Sequence, residues 1–302
     1  MKIATTIGEM YDFASSPANA IELYKDSGFR YLDYSFYSVL SKPNDPFMSP
    51  AWRDVIYESK ETAEKLGFQF VQAHAPACTI LSENRETELA AAIRSIEACG
   101  ILGIKNMVIH SGFFTEFNYP ADELAYFKAN EPYFRALIPA MEANGVHILF
   151  ENTTIKHCRG GCYFPILAKD LNAFIAFMKH PLFGAAWDVG HAHMDGIDHY
   201  NEIMELGKNL KAIHVHDNEA NRDSHSAPFS GTLDFDSLMK GLISSGFDGF
   251  FTLEATDFFK FKRSPALAGP LANTPLDVKK ASLSFLYTIS KSILMAYGIY
   301  EE

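Results

Sequence analysis

The sequence predicts a single (β/α)8 barrel over residues 1–302, eight parallel strands inside an outer ring of helices. Two observations lead there. The segments VQAHAP, MVIHSG, ILFENT, AAWDVGHAH, AIHVHDN and FFTLEAT set His74, His110, Glu151, Asp188, His214 and Glu254 at or just past an apolar run. The gaps between these six are 36, 41, 37, 26 and 40 residues, about one strand-plus-helix unit each. In such barrels the active site gathers where the strands end.

The elements follow in order. Residues 2–6 form a short first strand, followed by a polar loop and a helix over 17–27 that Gly28 closes. Strand two is 31–36. The Pro-rich SKPNDPFMSP leads into a helix over 51–66 ended by Gly67, and strand three covers 68–73 with His74 at its tip. Leu89, Ile93 and Ile96 mark helical spacing over 84–102, stopped by Gly103, and strand four at 106–109 delivers His110. A long helix over 121–143 precedes Asn144-Gly145 and strand five at 147–150. The rest repeats the pattern: helix 170–178, strand 183–187, helix 200–206, strand 210–215, helix 234–245, strand 250–253 and a final helix 276–296. Alternating strands and helices imply parallel pairing through right-handed crossovers. Two long loops, 217–233 and 255–274, have the size of active-site covers.

Composition narrows the function. A hydrophobic fraction of 48% supplies a large core, and 26 basic against 37 acidic residues, net −11, disfavours a broad nucleic-acid surface. Cys78, Cys99, Cys158 and Cys162 show neither a disulfide framework nor CxxC spacing, so reduced thiols are expected. No apolar run approaches the ~18 residues of a membrane helix, and MKIATTIGEM reads straight into a strand. A cytoplasmic location with no membrane partner is the expectation.

Glu151, Asp188, His214 and Glu254 would come from strands five to eight, neighbours around the rim. Three carboxylates and one imidazole suit a divalent cation such as Mn²⁺, Mg²⁺, Co²⁺ or Zn²⁺. Any one of them reads equally well as a solvated loop residue or helix cap; four strand ends in succession do not. A second set lies beside the first: His74, His110, His191 and the pair Asp223 and His225. These either extend the site to two or three ions or bind substrate hydroxyls and orient ligands. His216 and His193 share the strand parity of His214 and His191 and compete with them. His214 is preferred as ligand because Asp217 stands three residues on, and His216 is assigned to substrate. His147, His180 and His199 read as surface or capping residues. Trp187, Phe113, Phe114, Tyr11 and Trp52 stand near the rim, either to stack on a sugar or to pack. Lys260, Lys262 and Arg263 form one basic knot, either a phosphate grip or a solvated loop.

The motifs HAP, HSG, ENT, DVGHAHMDG, HVHDN and LEAT resemble the successive strand ends of the xylose-isomerase-like TIM-barrel superfamily, which comprises sugar phosphate isomerases and epimerases together with endonuclease IV. Similarity to ketose 3-epimerases and inosose isomerases implies a metal held by Glu151, Asp188, His214 and Glu254. It also implies that Glu151 and Glu254 share acid and base duties while His191 orients a hydroxyl. Similarity to endonuclease IV implies that His74, His110, His191, Asp223 and His225 complete a trinuclear zinc site. The chain departs from these relatives where it reads PFSGTLDF around Gly231 in place of a GEG stretch, which weakens any function resting on that loop. EANR resembles the epimerase loop whose arginine touches substrate, which would make Arg222 a substrate residue, yet it lies two residues further from His214 than the pattern asks.

The expectation is therefore a metal-dependent sugar or sugar-phosphate isomerase or epimerase working through an ene-diolate. It would use one divalent ion, up to three being accommodated, on a small carbohydrate. The alternative is an endonuclease IV-like zinc phosphodiesterase acting on abasic DNA. Against it, the loops after strands one to three contain only Lys42 and Arg85 as cations. The final helix carries Leu283, Leu286, Ile289, Ile293 and Leu294, and a surplus apolar face there would suit a homodimer.

Overall fold

Strand parity organises this protein. Its computed structural model describes residues 1–77, 83–112, 118, 120–155, 164–260 and 268–302. Within them β1 (Ile3–Thr6), β2 (Tyr31–Ser35), β3 (Gln69–His74), β4 (Asn106–Ile109), β5 (His147–Glu151), β6 (Phe183–Asp188), β7 (Leu210–His214) and β8 (Phe251–Leu253) form one sheet. Neighbouring strands pair in parallel, β1 also pairs with β8, and a Val215–Leu253 bridge brings β7 against β8 and nearly closes the barrel. This is a (β/α)8 barrel, as the spacing predicts.

Helices α1 (Pro17–Glu22), α2 (Trp52–Leu66), α3 (Arg85–Leu102), α4 (Glu123–Asn144), α5 (Ala168–Met178), α6 (Val189–Met194), α7 (His199–Leu206), α8 (Phe235–Ser245) and α9 (Leu276–Ala296) accompany the strands. Two local expectations need correction. The first helix ends at Glu22, five residues before Ser27, and 23–27 continue as turns. Gly28 is a glycine for another reason. Its φ is +98°, and a Cβ there would stand 2.4 Å from the Tyr287 ring of α9. The loop after β1 is not irregular, because Ile7–Phe13 wind into 3-10 turns that bury Glu9.

Side chains on a strand alternate between the lumen and the helices. Val108, Leu149, Ala186 and Ala212 form a small separate apolar cluster. His110, Glu151, Asp188 and His214 each stand two residues further along the same chain segments, so they point to the same side, one layer higher. The opposite parity faces the helices. There Phe150 stacks on Phe174 of α5 at 4.3 Å between centroids and on Phe183 at 5.2 Å. Such aromatic pairs add about 0.5–1.5 kcal/mol each beyond the area they bury.

Two β-bulges adjust this phase. Leu32 pairs with Phe70 but Asp33 pairs with Gln72, leaving Val71 as an extra residue in β3. Ala185 pairs with Leu210 but Ala186 pairs with Ala212, leaving Lys211 extra in β7. One extra residue exchanges the two faces of everything that follows. The bulges thus bring Gln72 and His74, and Ala212 and His214, onto the lumen side.

The expected helix 276–296 is α9, which buries Leu283, Leu286, Ile293 and Leu294 and exposes Phe285 and Met295. Among the described residues no helix is long and apolar enough to cross a membrane. Cys99 is buried, and Cys78, Cys158 and Cys162 lie outside the described residues.

Candidate metal centre

The rim at the C-terminal ends of the strands gathers three sets of metal-competent side chains. Glu151, Asp188, His214 and Glu254 form one; His74, His110 and Glu151 a second; His191, His216, Asp223 and His225 a third. In each set one donor atom per residue lies within 4.8 Å of the others. Glu151 belongs to two sets and joins them.

The first set is deep. His214 Nδ1 stands 2.6 Å from Glu151 Oε1 and 3.3 Å from Glu254 Oε2. Asp188 caps α6, accepting from the backbone N–H of His191 at 2.7 Å. Its own N–H donates to Asn152 Oδ1 at 2.6 Å, and Asn152 Nδ2 donates back to Asp188 O at 2.9 Å. Asn152 thereby locks the end of β6 to the end of β5. Glu151 Oε2 also meets His110 Nε2 at 2.8 Å and His74 Nε2 at 3.4 Å.

The third set hangs on the loop after β7. Asp217 accepts the backbone N–H groups of Asn218, Gly231 and Leu233 at 2.8–3.1 Å, and its backbone pairs with Ser226. That clasp, rather than ligation, is the role of Asp217, and it presents Asp223 and His225 to the rim. His225 Nε2 lies 3.0 Å and His191 Nε2 3.5 Å from Asp223 Oδ2. His216 Nε2 meets Asp188 Oδ1 at 3.1 Å, and its ring stacks on His225 at 4.0 Å. A Cβ on Gly190 would fall 1.9 Å from His216 Cε1, so glycine is required beneath that ring.

The electrostatics suit a cation. Burial works against the charge of Asp188, but His191 and His216 outweigh it and hold the carboxyl at about 2. Glu151 is likewise held well below its ordinary range, burial being overcome by His214 and His110. Burial opposes protonation of His214, yet Glu254 and Glu151 raise it well above the usual imidazole value. His225 is pushed up to about 10 against its burial, by Asp223. Geometry explains why. His74, His191 and His225 each donate Nδ1–H to a backbone carbonyl, of Ala75, Asn152 and Glu254, at 2.8–2.9 Å. That turns Nε2 toward a carboxylate, where a neutral ring would set a lone pair against an anion. A proton relieves this, and so does a divalent ion between the two. The donor set fits a metal.

Above these groups opens a cavity of about 430 Å³, whose walls include Glu9, Tyr11, Tyr37, Lys42, His74, His110, His191, Asp223, His225, Glu254 and Lys260. Glu151, Asp188 and His214 form no part of its lining. Only Glu254 of the first set reaches the space a substrate would fill, with 17% of its side chain exposed against 1% for Glu151. Glu151 stands buried where two donor sets join, outside this lining.

Four expectations change. Trp187 faces away from the lumen, between the inward Ala186 and Asp188. It is fully buried, its Nε1–H donates to His199 Nδ1 at 3.3 Å, and it does not line the cavity above the donor sets. His199 is consequently a core residue, held at about 4 by burial, rather than a surface cap. Arg222 is exposed and does not line the cavity. His216 sits in the third set, buried beneath His225, rather than facing the cavity. Trp52 is buried against Phe47 under Arg53 and Arg94. Tyr11 does line the cavity, Lys260 is held by Asp257 at 2.7 Å, and Phe113, Phe114, Lys262 and Arg263 lie outside the described residues.

Sequence reasoning missed a buried layer beneath the ligands. Gln72 Nε2 lies 2.9 Å from Asp33 Oδ2 and 2.8 Å from His214 Nε2. Glu9, fully buried beside the site, meets Lys279 Nζ of α9 at 3.5 Å and accepts from Thr5 at 2.8 Å. Single polar residues inside the apolar strands YLDYS and QFVQAH were the readable signal.

Barrel and rim together define a (β/α)8 protein with three candidate metal-binding sets where its strands end. The chain belongs to the xylose isomerase-like TIM barrel family, which it matches over residues 21–272. Its fold is that of the D-allulose 3-epimerase of a Methylomonas species, with a TM-score of 0.72 at 14% identity over 97% of this chain and 98% of that one. A Clostridium cellulolyticum D-psicose 3-epimerase solved with D-tagatose gives a TM-score of 0.72 at 16% identity over 97% and 99% of the chains. The 3-keto-D-glucoside 4-epimerase of E. coli gives 0.67 at 18% over 95% and 99%. Among curated sequences, an uncharacterized Methanocaldococcus jannaschii protein is 24% identical over 53% of this chain and 54% of its own length. An uncharacterized Sinorhizobium fredii protein is 24% identical over 50% and 47%. The chain spans about half the length of these curated relatives.

Proposed function

We propose that this protein is a divalent-metal-dependent sugar isomerase or epimerase that holds one ion among Glu151, Asp188, His214 and Glu254. The observation that carries this reading is the carboxylate-rich set with a single member, Glu254, exposed to the cavity. The neighbouring epimerase structures support it through the fold alone. Held by these four residues, a divalent ion would supply electrostatic stabilisation for negative charge developing on a sugar carbonyl and its neighbouring hydroxyl.

The chain's own groups do the rest. Glu254 takes the carbon-bound proton, work worth about 10²–10⁴ in rate for a well-placed base. His110 comes from β4, half a turn around the barrel from β8, and can return a proton to the opposite face of the sugar. His191, its ring anchored to Asn152 O, binds a hydroxyl. Tyr11 and Tyr37 give the cavity aromatic walls against which a sugar face packs. With one ion in the first set, the cavity-lining His74, His110, His191 and His225 of the other two meet substrate rather than metal.

The test is deuterium exchange. Protein supplied with Mn²⁺, Co²⁺, Mg²⁺ or Zn²⁺ is incubated in D₂O with free and phosphorylated ketoses, and label at the carbon beside the carbonyl is read by NMR. At least one ketose should take up deuterium, and Glu254→Gln should abolish the uptake. No exchange with any ketose, together with cleavage of an abasic duplex, would overturn the proposal.

One observation favours a second reading, a three-ion phosphodiesterase: the three donor sets adjoin, the first and second sharing Glu151 and the third meeting the first where His216 Nε2 lies 3.1 Å from Asp188 Oδ1. The cavity argues against a nucleic-acid substrate. Among the described residues lining it Lys42 and Lys260 are the only lysines, no arginine joins them, and Asp257 already holds Lys260.

A further inference from the structure

We infer that Asp33 and Gln72 are positioning residues for His214: they hold its ring from behind so that Nδ1 faces the metal set. The inference rests on the metal reading above. Asp33 and Gln72 are Cα partners across β2 and β3, and the β3 bulge is what turns Gln72 into the lumen beside Asp33. Both are buried, Asp33 to 1% and Gln72 to 4% exposure, inside a barrel whose other walls at this depth include Val108, Leu149, Ala186 and Ala212. A buried carboxylate and amide at such a place need a polar purpose to offset their desolvation.

The purpose is legible in the distances. Gln72 Nε2 lies between Asp33 Oδ2 at 2.9 Å and His214 Nε2 at 2.8 Å, and Asp33 Oδ2 itself is 3.8 Å from His214 Nε2. The other edge of the imidazole, Nδ1, faces Glu151 and Glu254. A histidine that ligates through Nδ1 carries its proton on Nε2 and must donate it. The anion behind it is Asp33, whose Oδ2 is 3.8 Å away and whose Oδ1 has no hydrogen-bond partner among the described residues, while the Gln72 amide holds that carboxylate in place through Nε2. A carboxylate behind a ligating histidine fixes the ring and makes the ligating nitrogen a better donor. The competing account is a buried polar pair that merely ties β2 to β3.

Metal affinity separates the two. Binding of Mn²⁺ and of Zn²⁺ to the full-length protein is measured by chelator competition, alongside the melting temperature of the metal-free form. Asp33→Asn keeps the shape and removes the charge, and it should weaken the tightest ion about 10–100-fold with little change in metal-free melting. The double variant Asp33→Asn with Gln72→Glu moves the carboxylate one strand over, directly against His214 Nε2, and should restore most of the affinity. If Asp33→Asn does not fold, Gln72→Met serves in its place and should weaken binding likewise. Affinity within twofold of wild type in these variants, with melting lowered, would establish the strand-tying account and overturn the inference. A wild-type protein that binds neither ion would instead remove the metal reading itself, which is a distinguishable failure.

Discussion

His214 Nδ1 lies 2.6 Å from Glu151 Oε1 although the two residues come from β7 and β5, with β6 between them. Only the curvature of a nearly closed barrel allows that approach, and only lumen-facing parity aims both side chains inward. This contact joins the deepest members of the first donor set and lies beneath Glu254. The functional account is built outward from it.

Glu254→Gln should abolish most turnover while leaving the fold intact, because its side chain is partly exposed and stands above the barrel core. A loss of about 10²–10⁴ in kcat is expected for removing a positioned base. Glu151→Gln should behave differently. Buried at 1% and facing three histidines, it should lose metal and melting temperature together. Steady-state kinetics with metal analysis of both variants checks the contrast.

The metal-free protein should be most stable near pH 6.5, because His199, held at about 4 by burial, contributes fully only above 6.5 and its share is lost as pH falls toward 4. His225 titrates near 10 in the fold against an ordinary 6.5, so its contribution is complete below 6.5 and fades as pH rises toward 10. Asp188, held at about 2 against an ordinary 3.8, contributes fully above 3.8 and fades as pH falls toward 2. Metal must displace the histidine protons, so affinity for Zn²⁺ should rise with pH across the same alkaline range. Melting scans from pH 3 to 10, with and without Zn²⁺, test both limbs.

Gly190→Ala should disorganise the third donor set and reach the first only through the His216 contact with Asp188. Its Cβ would fall 1.9 Å from His216 Cε1, and the ring cannot retreat because His225 stacks on it at 4.0 Å. A loss of about 1–3 kcal/mol is expected from such overpacking. The first set should keep its ion, while turnover should fall because His191 and His225 meet substrate in this account. Loss of turnover with unchanged metal content would assign His191 or His225 a direct part in binding substrate.

Lys279→Met removes the cation beside Glu9 deep under the rim, where both side chains are fully buried and Lys279 also donates to Phe258 O at 2.7 Å. Breaking one half of a buried pair costs about 3–5 kcal/mol. Denaturant titration should show that loss, and the double change with Glu9→Gln should recover part of it.

Much of this was legible in the chain. His74, His110, Glu151, Asp188, His214 and Glu254 could be read as strand ends because apolar runs and glycine stops recur at barrel spacing. Parity alone would have placed Trp187, since it lies between two inward positions. Asp33 and Gln72 were harder, because counting by twos through β3 fails at a bulge that leaves no mark in the sequence. The choice between His214 and His216 was open for the same reason: both face one side, and only the third dimension shows which stands over Glu151 and which over Asp188. Asp217 looked like a partner for a ligand and is a clasp for its loop. The six-residue helix α6 is too short to show a period, although Asp188 caps it.

The most direct test of the central claim is metal content per chain after purification, repeated after chelation and reloading with Mn²⁺, Co²⁺ or Zn²⁺. One tightly held ion per chain, lost in Glu151→Gln and retained in Gly190→Ala, is the result this account predicts. Three zinc ions per chain that survive dialysis would contradict it and make phosphodiester cleavage the activity to pursue.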